Sequence, residues 1–515
     1  MTYQHRVIRP AQLYLAGLLF VLPLLSPSGA THAAPTPASA PGRSAAIIAE
    51  NKLPGTTAWQ VTPGLGSERH EIEGFAGATS VNRGGAIDFF VNTIAPSFHI
   101  DVYRTGWYGG LGARLMRSLG SFKGMRQAPC SAGTKVIPLV CAWKRTYRLR
   151  VPATWLSGVY LAKLTMDPYK RANGWPGHLF QSYIIFVVRD DSGSSALLFQ
   201  TSVNTYQAYN HWGGQSLYKL TDASGKVLQP RDYVVSFDRP YDRGLGVGDY
   251  FYWEYPMVRW LERNGYDVSY STDADLDATS PALLARHRAW LMAGHGEYWT
   301  EAMRDHLEGA LARGLSLGFF SGNEIYLRVR YLSDRNGPRR VITCYKDTDL
   351  DPNVGHHNEL ATVKWRDTVI GRPEQLLIGQ MSDSWFNPPS FALRPINTNL
   401  WPYAGTGLHN GDSLPGIVGY EYDRVFDNMP KPKGLIILAA SPVVNVDGTR
   451  SVSNVTLYTA SSGARVFAAG TIQWAWGLEN LDLVAGLDAW THHHIASPAL
   501  QRLSANILDN FVGKR

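Results

Sequence analysis

Between residues 57 and 190, apolar and polar positions alternate in short runs: "HEIEGFAGATSV", "AIDFFVNT", "FHIDVYRTGW", "TYRLRVP", "GVYLAKLTM" and "QSYIIFVVRD". A period of two puts every other side chain on one face of a strand, and the Gly, Pro and Asn clusters between the runs supply turns. The pattern predicts an antiparallel β-sandwich over 56–192, and nothing within it resembles a catalytic constellation.

After "RDDSGSS" the pattern changes. "ALLFQTSV", "DYVVSFD", "DVSYS", "AWLMAG" and "LSLGFF" are strand-length apolar runs, whereas "YFYWEYPMVRWLERNG", "PALLARH" and "TEAMRDHLEGALARG" carry helical spacing. Such alternation predicts an α/β domain over 193–515, with a parallel sheet covered on both faces. The stretch 331–433, rich in Trp, Pro, Asn and Gly, reads as irregular insertions. The sheet resumes at "GLIILAAS" and "ARVFAAG", and the helix "PALQRLSANILDNFV" closes the chain. Ligands of such sheets gather beyond the carboxyl ends of the strands. The junctions that matter are therefore "GHGEYWT", after "AWLMAG", and "SGNEIYLRV", after "LSLGFF".

The N-terminus adds a compartment. Arg6 and Arg9 precede "LYLAGLLFVLPLL" and a small-residue stretch, the layout of a signal peptide over 1–33. A Pro/Ala/Ser-rich linker follows over 34–55, and no later segment is apolar and long enough to span a bilayer. The expected location is periplasmic or extracellular. Removing 1–33 takes two arginines and no acid, so the formal charge falls from +7 to +5. Basic residues are interspersed with acidic ones, which argues against a nucleic-acid partner and leaves a homo-oligomer open. Cys130 and Cys141, in "PCSAGTKVIPLVC", are close enough in sequence to pair after export. Cys344, in "RVITCYKD", reads as a buried strand residue.

Candidate chemistry falls on the two junctions. His295 and Glu297 can both ligate a metal or move a proton; alternatively, Glu297 only favours the start of the following helix. Tyr206, Tyr209 and Tyr218, in "SVNTYQAYNHWGGQSLY", and Tyr250, Tyr252 and Tyr255, in "DYFYWEYP", form a dense set of phenols. Ionised, a phenol is a hard oxygen donor suited to a ferric ion; packed, it is a core aromatic with its hydroxyl at the margin. "GLGVGD" lacks the lysine and full glycine pattern of a phosphate loop. "STDADLDA" and "KDTDLDPNVG" lack the glycine and closing glutamate of calcium loops.

Taken in order, "VYRTGWYGG", "TYQAYNHWGG", "YPMVRWLERNGYDVSY", "GHGEYWT", "FFSGNEIYLRV" and "GTGLHNGD" resemble the N,N-dimethylformamidase large (beta) subunit family and its exported relatives, over about 60–505. The resemblance implies an immunoglobulin-like β-sandwich followed by a flavodoxin-like, class I glutamine amidotransferase-like α/β domain. It also implies a mononuclear ferric iron held by two tyrosinates and one glutamate, hydrolysing a formamide. By motif the carboxylate is Glu297, with His295 beside it. Tyr206 and Tyr209 compete for the first tyrosine position, and Tyr250, Tyr252 and Tyr255 for the second, with Tyr298 as a fallback. Where glutaminases carry a nucleophilic cysteine this chain has Gly322, so Asn323 is expected to orient substrate or stabilise an oxyanion. Export points to a small amide or an envelope-derived substrate. The competing expectation is a non-catalytic envelope or carbohydrate-binding protein that uses its 16 tryptophans and 26 tyrosines as stacking surfaces.

Overall fold

Alternating strands pair into two sheets around one apolar layer. In the computed structural model, which describes residues 41–170, 177–222, 224–386, 390–481 and 495–513, Ile72–Ala76, Ala86–Thr93 and Tyr147–Arg150 form a three-stranded antiparallel sheet. Ser80–Asn82, Gln181–Arg189, Gly158–Met166, Ser97–Thr105 and Ala113–Lys123 form a five-stranded one, in that order. Phe89, Val91, Ile100, Val102, Leu149, Leu164 and Phe186 fill the space between. Ala113–Lys123 was not foreseen: it is a sheet edge, largely solvated, and its charged side chains mask the alternation. Cys130 and Cys141 are disulfide-bonded, and Cys344 is buried and free.

The expected signal peptide lies outside the described residues. Within the span expected as linker, Ala45–Glu50 is a helix capped by the Ser44 hydroxyl, and Arg43 lies 3.7 Å over the Tyr266 ring. Among the described residues no helix is long and apolar enough to cross a membrane.

The second layer is a seven-stranded mixed sheet in the order Val268–Thr272, Leu197–Thr201, Ala289–Gly294, Ser316–Ser321, Arg465–Ala468, Arg450–Thr459, Ile436–Val444. The first five strands are parallel and the last two antiparallel. Helix Glu301–Leu311 starts where the Thr300 hydroxyl accepts from the Met303 amide at 3.2 Å. Helix Pro498–Gly513 buries Leu500, Leu503, Ile507 and Phe511, one helical stripe. "DYVVSFD" joins a different sheet: Val234–Ser236 pairs with Gly337–Thr343, which pairs with Leu327–Asp334.

The stretch 331–433 is more regular than expected. Besides that hairpin it holds two short ladders, Met381–Trp385 with Glu421–Arg424 and Phe391–Leu393 with Leu414–Val418. Their pairing is non-local, so no local alternation announces it. The sandwich and the α/β layer are locked by a buried ion pair in which Arg104 Nη2 lies 2.6 Å from Glu262 Oε1. The Asn51 amide and the Tyr270 hydroxyl also donate to Glu262.

Candidate active site

The strand order reverses between Leu197–Thr201 and Ala289–Gly294: the chain leaves the first strand toward one edge and returns to add the next on the other side. Loops beyond such a point diverge and leave a crevice. The turn after Leu197–Thr201 becomes the helix Val203–Ala208, which ends at Tyr209, and the chain then turns through Gly213 and Gly214 to Tyr218. The turn after Ala289–Gly294 carries His295, Gly296 and Glu297. Gly296 is required by space, because a Cβ there would meet Met292 Sδ at 2.2 Å and Glu324 Oε2 at 2.3 Å.

These segments converge on Glu297. The Tyr218 hydroxyl lies 2.8 Å from Glu297 Oε1 and 2.7 Å from Oε2, and the Tyr209 hydroxyl donates to Oε2 at 3.1 Å. The two phenol rings stack with centroids 4.1 Å apart. The Thr205 hydroxyl accepts from the Glu297 amide at 3.1 Å, tying the helix to the opposite turn. His295 Nε2 is 3.5 Å from Glu297 Oε2 and 2.8 Å from Glu421 Oε2. Burial alone would lower the imidazole pKa; the Glu421 carboxylate, helped by Glu297, raises it to about 9. Glu421, although buried, is in turn held below the usual carboxylate range by that imidazolium. Asn323 Nδ2 donates to Glu421 Oε2 at 2.9 Å, while its Oδ1 is buried without a hydrogen-bond partner. Asn323 and Ile325 have φ of 51° and 54°, a strained turn held by the Asp423 carboxylate on the Asn323 amide. On the other side the Lys346 ammonium sits 3.3 Å over the Tyr218 ring. Burial with Glu297 alongside pushes the Tyr218 phenol well above its ordinary value, so here it is a neutral donor.

His295, Glu297, Asn323 and Tyr209 thus lie together. Among the described residues, the hydrogen bonds to the Glu297 carboxylate come from Tyr209 and Tyr218 and not from the other candidate tyrosines. Tyr206 points to the buried Glu254, Tyr250 bonds the Thr105 hydroxyl at 2.7 Å, and Tyr255 donates to the Gly112 carbonyl at 2.9 Å. Tyr252 packs against Arg243, whose guanidinium also faces the Tyr209 ring. Tyr298 faces Lys346 at 5.3 Å. Sequence reasoning had Tyr218 in view as a phenol but not as a partner of Glu297. It missed Glu421 and Lys346 altogether, since both come from the stretch read as irregular. Among the described residues, no group of three or more His, Cys, Asp or Glu side chains is arranged to hold a metal ion; the convergence is of phenols on one carboxylate.

A buried cluster of hydrogen-bonding and titratable groups thus sits at the switch point of the parallel part of the sheet, where α/β proteins commonly place their ligand sites. The chain belongs to the family described as N,N-dimethylformamidase beta subunit-like, C-terminal, which matches residues 99–489. It is 21% identical over 360 residues to the N,N-dimethylformamidase beta subunit of Paracoccus aminophilus and 22% identical over 360 residues to that of an Alcaligenes species. Each alignment takes in 62% of this chain and 45% of the relative, so the chain matches less than half the length of either. The family read from the motifs is therefore borne out.

Proposed function

We propose that this chain is an exported hydrolase of the C–N bond of a small or envelope-derived amide, working with a mononuclear ferric iron. The observation that carries the reading is the convergence of the Tyr209 and Tyr218 hydroxyls on the Glu297 carboxylate. These are three hard oxygen donors in a buried cluster. They suit a ferric ion, and a bound cation would reverse the preference of the Tyr218 phenol for the neutral state. When bound, such an ion polarises a carbonyl and acidifies water. Tyr209, Tyr218 and Glu297 would hold it, in place of the wider tyrosine set expected from the motifs.

The remaining residues have definable tasks. His295, kept protonated by Glu421, can deliver a proton to the departing amine nitrogen. Glu421 takes part of the imidazolium charge and holds the ring in place. One N–H of Asn323 is committed to Glu421, and its unpaired Oδ1 suits an N–H of the substrate. Lys346 supplies positive charge beside Tyr218.

Finer features of the fold belong to the same reading. The first five strands of the large sheet run 2-1-3-4-5 when numbered among themselves in chain order, which supports a flavodoxin-like arrangement. The strained turn after Ser316–Ser321 supports a correspondence with the nucleophile elbow of class I amidotransferases, here with Gly322 and no cysteine. The pairing of two sheets over a shared core supports an immunoglobulin-like unit over 56–192 ahead of the α/β unit over 193–515. The Cys130–Cys141 disulfide supports an oxidising compartment.

The test is elemental analysis and visible absorption of the purified mature protein. Near-stoichiometric iron with a tyrosinate charge-transfer band is expected, and Glu297→Ala should lose the metal while remaining folded. Full metal retention by that variant would remove Glu297 from the site. A preparation that stays colourless and metal-free after iron reconstitution would sink the reading and favour the non-catalytic binding protein.

A further inference from the structure

A cleft of about 470 Å³ leads from the surface to Glu297 and Tyr218. Its lining is uneven in charge. Lys219, Arg231, Lys346 and Lys364 line it, against only two acids, Glu297 and Asp347. Asp347 is taken by Arg231 at 2.5 Å. Glu297 is buried and already accepts from both phenols. Lys346 is buried on the Tyr218 ring face, and none of the described residues accepts a hydrogen bond from its ammonium. Lys219 and Lys364 are half-buried and likewise have no carboxylate partner among the described residues; Lys364 has only the Tyr326 ring, 6.0 Å away.

Three ammonium groups with no carboxylate in ion-pair contact among the described residues, the buried one, Lys346, feeling chiefly the nearby Glu297 charge, are an unfavourable way to line a passage for a neutral amide. Low-dielectric walls of one sign focus the field, raising the local concentration of an oppositely charged ligand. The cleft is also roomier than a dimethylated amide requires. We infer that the substrate carries a carboxylate beside its scissile amide, as an N-acyl amino acid does. Lys346 anchors that carboxylate in the cleft, and Lys219 and Lys364 attract it from the rim. The inference rests on the reading above, in which the amide reacts beside Glu297.

Two probes that differ in the carboxylate alone separate the claims. N-formylglycine and N-methylformamide are compared on the iron-loaded mature chain, by calorimetric affinity and by formate release. N-formylglycine should bind at least about tenfold more tightly, as expected for charge-assisted hydrogen bonds. The gap should narrow in about 0.5 M salt, where surface charges are screened. It should also narrow in Lys219→Gln/Lys364→Gln, with iron content and visible spectrum unchanged, and persist in Lys219→Arg/Lys364→Arg. Equal affinity for the two probes, or no binding of either, overturns the charged-substrate inference. Formate released equally from both leaves the amidase reading standing without it. Selective binding of N-formylglycine with no formate from either probe supports the anion site and sinks the amidase reading instead.

Discussion

At the scale of single residues, the site depends on positions where one atom decides. Gly296 has no room for a Cβ, and its amide donates to Glu324 Oε1 at 3.0 Å. Gly296→Ala should therefore destabilise the protein by about 1–3 kcal/mol, the usual cost of overpacking, read as a lower urea midpoint. Glu421 is the partner that keeps His295 charged. Glu421→Gln should leave the fold intact and lower turnover by about 10²–10⁴, the range for a general acid–base group; unchanged turnover would remove the His295–Glu421 pair from the mechanism. Residue type together with strand-end position pointed to His295, Glu297 and Asn323, because ligands of parallel sheets gather beyond the strand ends. It could not choose among the tyrosines, since a phenol against a carboxylate and a phenol against a backbone carbonyl look alike in a sequence.

At the scale of elements, the regular α/β strands and helices were legible because each buries a periodic face. "SVNTYQAY" was not: its aromatic density fits a buried strand or a buried helix equally, and the chain forms the helix Val203–Ala208. That choice positions Thr205 against Glu297 and delivers Tyr209 into the crevice. The helix Tyr255–Arg263 is fastened to the strand Ser97–Thr105 by the Arg104–Glu262 pair, two hydrogen bonds of 2.9 and 2.6 Å with no solvent contact. Glu262→Ala leaves a buried guanidinium without its counter-charge, and equilibrium unfolding should show a loss of about 3–5 kcal/mol. A much smaller loss would mean that the sandwich is held to the sheet chiefly by apolar contact.

At the scale of the whole molecule, burial leaves a mark on the pH dependence of stability. Desolvation raises Glu254 to about 8 and Asp273 to about 7. Both groups bind protons more tightly when folded than when unfolded, so their contribution is present in full below the unfolded carboxylate range. It is lost as pH rises toward 7 and 8, at about 1.4 kcal/mol for each tenfold change in proton affinity. Glu254→Gln, which keeps an acceptor for the Ser202 amide, should therefore gain stability over the native chain between pH 5 and pH 8; denaturant midpoints that stay parallel across that range would refute the shift. The sequence by itself determined the layer types, the parallel core of the sheet, the family and the placing of His295 beside Glu297 on one strand-end turn, because periodicity and strand-end position are local properties. Only the tertiary structure decided which phenols face the carboxylate, that Glu421 from a distant ladder holds His295, and that lysines line the way in. Those contacts join residues tens to hundreds of positions apart, and such proximity follows from chain crossings and packing that no local pattern encodes.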